Sequence, residues 1–191
     1  MRRNFLVLAL PLLVGACGYN SIQSMDETAA AAQKQISVQL QRRADLVPNL
    51  VSTVKGFAAQ EAEVFETVAK ARAGLAGAVQ GGNVTEMANA NQQMTGALGR
   101  LLAISENYPQ LKSDKNFLQL QDELTGTENR IAVARTDYNG AVEAYNAYIR
   151  KFPQVLTAKV IGAKPRDYFD VTNPGAREAP TVDFSKPAAK N

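Results

Sequence analysis

Apolar side chains repeat every seven residues along the stretch between residues 117 and 152. The repeat comprises Phe117, Leu124, Ile131, Tyr138, Tyr145 and Phe152. A second row, three residues further on, comprises Leu120, Thr127, Ala134, Ala141 and Tyr148. Seven residues make almost two turns of an α-helix, so both rows lie on one face. Because so long an apolar face must pack against partner helices, the pattern predicts one long helix over residues 117–152 inside a helical bundle.

A second helical pattern begins near Ser24 and alternates spacings of four and three residues. Its members are Ile36, Leu40, Arg43, Val47, Leu50, Val54, Phe57, Glu61, Val64, Val68, Ala71 and Leu75. Pro48 lies within this pattern and has no N–H to donate to the Ala44 carbonyl, so a kink or a break is expected over residues 44–47. Both alternatives remain open, and the lack of a glycine at this point favours the kink.

Glycine, asparagine and proline mark the remaining helix ends. The two glycines at 81–82 predict the end of the second pattern, and Asn83 followed by Glu86 predicts the N-cap of a third helix. That helix is expected to direct inward Met87, Met94, Leu98 and Leu101. It is expected to stop before Pro109, and the serine or aspartate at 113–114 is expected to cap the long helix.

Together these elements predict an all-α fold, an antiparallel bundle of three to four long helices with the first kinked or broken near Pro48. The bundle domain is expected to span residues 24–162 and to end with a short amphipathic piece over residues 154–162. Four prolines follow Gly162. They predict a Pro-rich extended tail over residues 163–191 that is either mobile or lies along the bundle.

The first sixteen residues resemble the signal peptide of a bacterial lipoprotein. Arg2 and Arg3 form a charged start, an apolar run follows, and the sequence Leu-Val-Gly-Ala-Cys at 13–17 is similar to a lipobox. The run is shorter than the roughly 20 apolar residues of a spanning helix. The resemblance implies cleavage before Cys17 and acylation of that cysteine. Residues 17–23 are then expected to form a tether. An uncleaved short anchor and a secreted protein with an unpaired cysteine are the alternatives.

Composition narrows the possible chemistry. The chain contains no histidine and a single cysteine. These facts exclude Ser-His-Asp and Cys-His catalytic arrangements, histidine-ligated metals and intrachain disulfides. We therefore expect no enzyme activity, no metal and no cofactor. Lys and Arg total 21 against 18 Asp and Glu, and two of the basic residues lie in the expected signal peptide. Nucleic acid is therefore not an expected partner.

Two groups of polar residues are candidates for an interaction site or for a buried polar network. The first group comprises Arg42, Arg43, Asp45 and Asn49. The second comprises Gln121, Glu128 and Arg135, at spacing seven beside the apolar row of the long helix. In an antiparallel bundle the two groups can meet, with Glu128 accepting from Arg43 and Arg135 reaching Asp45. An ion-pair network is the structural interpretation, favoured because unpaired charges there are costly. A site for an anionic ligand or partner is the functional one.

A third candidate is the sequence Glu-Asn-Tyr-Pro at 106–109, which contains Glu106 and Tyr108 and has Lys112 close by. Its structural interpretation is a turn at a helix end, with Tyr108 packed over the end of the bundle. Its functional interpretation is a recognition patch.

The chain resembles the LemA family of bacterial proteins over about residues 19–169. The resemblance rests on Gln-Leu-Gln-Arg-Arg-Ala-Asp-Leu-Val-Pro-Asn-Leu-Val at 39–51, Glu-Asn-Tyr-Pro at 106–109, motifs within 116–135, and Tyr-Asn at 138–139 and 145–146. It implies an antiparallel α-helical bundle outside the cytoplasm, held at a membrane by a short apolar N-terminal anchor. This chain departs from that pattern because its anchor is similar to a lipobox. The resemblance implies no reaction.

The sequence therefore predicts a non-catalytic, lipid-anchored helical bundle at the cell envelope that acts as a scaffold or protein-interaction module. Acyl chains on Cys17 would contact the membrane, and an envelope protein is the expected partner. Gly18 after the cysteine is compatible with the periplasmic side of the outer membrane if the source has two membranes. The alternative is a binding protein for a small or lipidic ligand between the helices, which requires a cavity above roughly 300 Å³.

Overall fold

The computed structural model describes the backbone of residues 2–170 and the side chains of residues 18–170. The helices are α1 (Arg2–Lys55), α2 (Ala62–Gly81), α3 (Val84–Ile104), α4 (Pro109–Lys112), α5 (Lys115–Tyr148) and α6 (Gln154–Ile161), with a 3₁₀ turn at Ser105–Asn107. The predicted signal peptide, the side chain of Cys17 and the tail beyond residue 170 lie outside this description. Among the helices described, none is both long and apolar enough to cross a membrane.

The four long helices alternate in direction along the bundle. Ile22 of α1 clusters with Tyr145 of α5, whereas Arg43 further along α1 contacts Glu128, so these two helices are antiparallel. Gln33 of α1 donates to the Gly82 carbonyl at 2.8 Å beside the start of α3, and Arg43 donates to Asn91 of α3 at 2.7 Å, so α1 and α3 are parallel. The antiparallel bundle that the hydrophobic pattern predicts is confirmed.

The bundle has two unlike halves. In the distal half, α1 from residue 33 onward packs with α2, α3 and the first part of α5, and this half supplies most of the main hydrophobic core. In the proximal half, residues 18–32 of α1 pack with the end of α5, with α6 and with residues 163–170. A separate, smaller cluster lies there, formed by Ile22, Tyr145, Ile149 and Ala158. The tether was predicted over residues 17–23. Its described part, residues 18–23, is helical and continues α1, and Ile22 is buried in this cluster.

Helix α1 runs through Pro48 without a break. The Ala44 carbonyl, which loses its helical donor to the proline, accepts a hydrogen bond of 2.9 Å from Arg72 Nε of α2. A donor from a neighbouring helix thus replaces the missing backbone N–H. Of the two alternatives left open by the sequence, the broken helix is excluded.

The chain reverses instead at residues 56–61, between α1 and α2. The spacing rule that holds up to Val54 fails across this connection: Phe57 is 37% exposed, and Phe65 takes the buried position. The helical pattern predicted as continuous from residue 24 to residue 80 is therefore two antiparallel helices. The apolar spacing did not reveal the reversal, because the spacing of α2 continues that of α1 across the connection at residues 56–61.

Two predicted helix starts are confirmed by capping hydrogen bonds. Asn83 Oδ1 accepts from the Glu86 amide at 3.0 Å at the start of α3, and Asp114 Oδ1 accepts from the Phe117 amide at 2.9 Å at the start of α5. Each side chain satisfies an amide that has no partner within its helix. The inward residues predicted for α3 are buried: Met87, Met94, Leu98 and Leu101.

The apolar repeat of α5 is confirmed for five of its six positions. Those buried are Phe117, Leu124, Ile131, Tyr138 and Tyr145. The sixth prediction is wrong: Phe152 is 81% exposed, because α5 ends at Tyr148. The chain turns before residue 152, and a seven-residue spacing no longer returns a side chain to the same face.

Candidate functional site

Arg43 is the centre of the polar network and joins three helices. Its Nη1 lies 2.5 Å from Glu128 Oε2 of α5 and donates to Asn91 Oδ1 of α3 at 2.7 Å. The Arg43 side chain is only 5% exposed, whereas that of Glu128 is 45% exposed. The predicted contact between Arg43 and Glu128 is therefore present, with one partner inside the bundle and the other reaching solvent.

The electrostatics of this network favour a structural role. Burial lowers the pKa of Arg43, and the charge and hydrogen bond of Glu128 act in the opposite direction. The charge of the buried Arg43 side chain is balanced by Glu128, so the network can fix the register of three helices.

The second predicted contact, between Arg135 and Asp45, does not form. Asp45 accepts instead from Gln41 Nε2 at 2.9 Å. The reason is geometric. Since α1 and α5 are antiparallel and Arg43 faces Glu128, the residue two places after Arg43 moves further from Arg135, not closer. Arg135 lies on the proximal side of Glu128, beside a groove of about 610 Å³ that also borders Phe169.

The other members of the two predicted polar groups are exposed or half-buried. Arg42, Asp45 and Asn49 are exposed, and Gln121 is half-buried on α5. Arg42 and Asp45 line a groove of about 490 Å³ that crosses α1 and touches Val79 of α2. The first group therefore separates into one buried residue, Arg43, and three residues that face solvent.

Glu106 and Tyr108 lie at the far end of the distal half. The Tyr108 hydroxyl contacts Gln60 Nε2 and lies 3.5 Å from Glu61 Oε1, so it covers the connection between α1 and α2. Glu106 forms an exposed ion pair of 2.6 Å with Lys112. The structural interpretation, with Tyr108 packed over the end of the bundle, matches these contacts.

Sequence reasoning missed Asn91, although a signal for it exists. Asn91 occupies the four-three spacing between Met87 and Met94, so it is a polar residue on the buried face of α3. A polar side chain at such a position needs a hydrogen-bonding partner inside the bundle. Arg43 is that partner.

Sequence reasoning also missed two asparagines that hold residues 163–170, here called the strap, along α5. Asn146 accepts from the Arg166 amide at 2.8 Å and donates to the Arg166 carbonyl at 2.9 Å. Asn139 makes the same pair of bonds with Phe169, at 2.9 Å and 3.3 Å. The signal was the Tyr-Asn pair repeated seven residues apart, which puts both amides on one face of α5.

Three further contacts fix the strap. Phe169 is buried in the main core, the Tyr138 hydroxyl donates to the Asp167 carbonyl at 2.8 Å, and Arg166 Nε forms an ion pair of 2.7 Å with Asp26 of α1. Burial raises the pKa of Tyr138, and the hydrogen bond to Asp26 raises the pKa of Arg166. Of the two alternatives for the tail, residues 163–170 therefore lie along the bundle.

A surface groove runs between α1 and α5. The groove between α1 and α5 has a volume of about 520 Å³ and is lined by residues that include Gln39, Arg130 and Val133. Its volume is above the minimum of roughly 300 Å³ expected of a ligand site, but the groove is open to solvent. Within residues 18–170, no group of three or more Asp, Glu, Cys or His side chains is arranged to hold a metal ion.

The fold and these contacts define a class of protein: an antiparallel bundle of four long helices with a buried arginine that bridges three of them and a strap along α5. Residues 32–184 match the LemA family, and the chain belongs to this family, as its resemblance in sequence implied.

Three curated relatives are magnetosome proteins. The chain is 32% identical over 174 residues to magnetosome proteins MamQ 2 and MamQ 1 of Paramagnetospirillum magneticum, and 30% identical over 174 residues to magnetosome protein MamQ of Magnetospirillum gryphiswaldense. Each alignment covers 79% of this chain and 64% of the relative. The chain therefore spans about 64% of the length of these relatives.

Proposed function

We propose that the protein is a non-catalytic, lipid-anchored bundle of the cell envelope that holds a partner protein on the exposed face of α1. The lipobox-like sequence that ends at Cys17 supports the anchor. Membership in the LemA family supports attachment to a membrane. The absence of histidine from the chain supports a role in binding, because the commonest general base is missing.

An exposed stripe on α1 is the observation that carries the partner site. Val38, Arg42, Asp45 and Asn49 follow spacings of four, three and four, so they share one face of the helix. All four are exposed, Val38 by 58%. The stripe combines an exposed apolar side chain, two opposite charges and an amide beside a groove of about 490 Å³. Such a mixture suits a protein surface, since charges set the orientation and apolar area contributes affinity.

The position of the stripe suits a protein held away from a membrane. Helix α1 continues from Gly18 to Lys55 without interruption. At about 1.5 Å per residue, the stripe begins about 30 Å from Gly18 along the helix. A bundle anchored at Cys17 would therefore present the stripe to the aqueous side and not to the lipid.

Mass spectrometry of the protein purified from membranes of its source tests the anchor. We expect the loss of residues 1–16 and the mass of acyl chains on Cys17, and we expect Cys17→Ser to abolish both changes. Mature protein that retains its first sixteen residues would overturn the lipid anchor.

Site-specific photocrosslinking in intact cells tests the partner surface. A photoreactive amino acid at Asn49 should give a discrete adduct, and the charge exchange Arg42→Glu with Asp45→Arg should abolish that adduct. Asn116 is the matched control, because it is an exposed asparagine at the same end of the bundle but on α5. Equal adducts from Asn49 and Asn116, or no adduct from Asn49, would contradict the proposal.

A further inference from the structure

Helix α6 presents an apolar face that nothing in the described bundle covers. Leu156 is 56% exposed and Val160 is 87% exposed, and Phe152, just before the helix, is 81% exposed. Leu156 and Val160 are four residues apart and share one face, while Ala158, two residues from each, points the opposite way and is buried against α1. The short helix therefore has apolar side chains on both sides, and Leu156 and Val160 are on the side that faces outward.

The chain segment that contains α6 has basic side chains and no acidic ones. Residues 144–166 include five basic residues and no acidic one. Arg166 is engaged with Asp26, and the remaining four are exposed: Arg150, Lys151, Lys159 and Lys164. Residues 18–25 of α1, which pack beside α6, also contain no carboxylate. Apolar side chains surrounded by lysine and arginine form the pattern of an interfacial helix that binds anionic lipids.

The chain enters the bundle beside α6, on the side of that helix opposite Leu156 and Val160. Gly18 packs directly on α6, since a Cβ added to it would lie 3.6 Å from both Gln154 Cγ and Thr157 Oγ1. The apolar run of residues 5–14 and Cys17 precede this point in the sequence. Tyr19, the next residue, is 46% exposed, and tyrosine is a residue favoured at the boundary between lipid and water.

We propose that Phe152, Leu156 and Val160, together with the surrounding basic residues, dock on the surface of a lipid bilayer that carries anionic headgroups. The apolar side chains enter the headgroup region, and the four exposed cations contact lipid phosphates. The inference rests on the proposed membrane attachment and extends it from a single anchored residue to a face of the folded bundle.

Tryptophan fluorescence tests the docking directly, because the chain contains no native tryptophan. The full-length chain with Cys17→Ser and Val160→Trp is mixed with vesicles of phosphatidylcholine and phosphatidylglycerol. We expect a blue-shifted emission and quenching by brominated lipid. The control is Val133→Trp in the same chain, a comparably exposed valine in the middle of α5, which should show neither change.

These outcomes separate the docking from the anchor. A chain that sediments with the vesicles while the tryptophan at position 160 stays unquenched would overturn the docking and leave membrane attachment intact. Blue-shifted emission without vesicles, at a concentration where the protein self-associates, would assign the face to a second copy of the chain and also overturn the docking. The anchor itself is decided separately by the mass of the mature protein.

The charge requirement is tested by paired substitutions. Lys151→Gln with Lys159→Gln should weaken partitioning onto phosphatidylglycerol-containing vesicles by about 30-fold. Lys34→Gln with Lys115→Gln removes the same charge from exposed positions far from α6 and should have little effect. Equal losses in the two pairs, or equal binding to vesicles of phosphatidylcholine alone, would contradict the requirement for anionic lipid.

Discussion

The distal and proximal halves of the bundle are held together in different ways. The distal half surrounds its core with four helices, and its buried side chains include large residues from all of them, such as Leu50, Leu75, Met94 and Phe117. The proximal half has only two long helices, and its small apolar cluster is closed by α6 and the strap. In the proximal half, side-chain amides and an ion pair hold the elements together. In the distal half, buried apolar area does so.

This difference implies that the two halves do not open with the same free energy. Hydrophobic stabilisation grows with the apolar area removed from water, so the distal half is the more stable unit. The proximal half depends on hydrogen bonds near the surface, where each contributes little net stability. The region beside the proposed membrane contact is therefore the first to open locally.

Truncating one large buried side chain in each half gives the largest expected contrast. Leu50→Ala should lower the free energy of global unfolding by about 3 to 5 kcal/mol, because it leaves a cavity in the main core. Ile22→Ala should instead accelerate amide exchange in residues 18–32 and leave exchange in α2 and α3 unchanged. Hydrogen exchange followed by mass spectrometry measures both. Equal effects on global unfolding would show that the two halves are one cooperative unit.

Removing either partner of the Arg43–Glu128 ion pair tests how much this pair stabilises the distal half. Glu128→Ala should cost about 3 kcal/mol, because it leaves the buried Arg43 charge without its counterion. Arg43→Met should cost less, since Glu128 is 45% exposed and can be solvated. Chemical denaturation measures both, with Glu143→Ala on the exposed face of α5 as the control. Unchanged stability in both variants would show that the network does not hold the helices.

Loosening the strap tests the proximal half. Asn146→Ala removes two hydrogen bonds to the backbone of Arg166 and should lower the local opening free energy of residues 163–170 by about 2 kcal/mol. We expect faster hydrogen exchange of the Arg166 amide and an unchanged free energy of global unfolding. Asn129→Ala, an exposed asparagine on the same helix, is the matched control. A strap that exchanges at the same rate in both variants would mean that the amide clamp is not what holds it.

The smallest expected effect concerns the hydrogen bond that bridges Pro48. Arg72→Ala should cost about 1 kcal/mol, because the Ala44 carbonyl loses its donor. In a Pro48→Ala background the backbone supplies that donor, so the same substitution should cost almost nothing. A double-mutant cycle measures the difference, and Arg100→Ala on α3 is the control. Equal costs in both backgrounds would rule out the compensation.

Periodicity predicted the parts of the fold that depend on one helix at a time. The stripe of α5, the inward face of α3 and both capping residues follow from local spacing and local hydrogen bonds. The reversal at residues 56–61 did not follow, because Phe57, Val64 and Val68 continue the four-three spacing across it, and only tertiary packing buries Phe65 instead of Phe57. The exposure of Phe152 was missed for the same reason, since spacing alone does not show where a helix stops.

Long-range polar contacts were predictable only in part. The Arg43–Glu128 pair followed from two charges placed beside apolar rows of antiparallel helices, but the same reasoning wrongly paired Asp45 with Arg135. Such pairs depend on the axial offset between the two helices, and no residue in the sequence specifies that offset. The donor to the Ala44 carbonyl was not predictable either. Pro48 indicates that this carbonyl lacks a helical donor, but only the packing of α2 against α1 brings Arg72 to it.

The continuity of α1 has a mechanical consequence. One continuous helix passes from Gly18 to Lys55 and belongs to both halves, so the number of residues sets the distance between its two ends. Adding a single residue within this helix would lengthen it by about 1.5 Å and turn everything beyond by about 100°. Any insertion or deletion in α1 therefore changes both the distance between the two halves and their relative rotation about the helix axis.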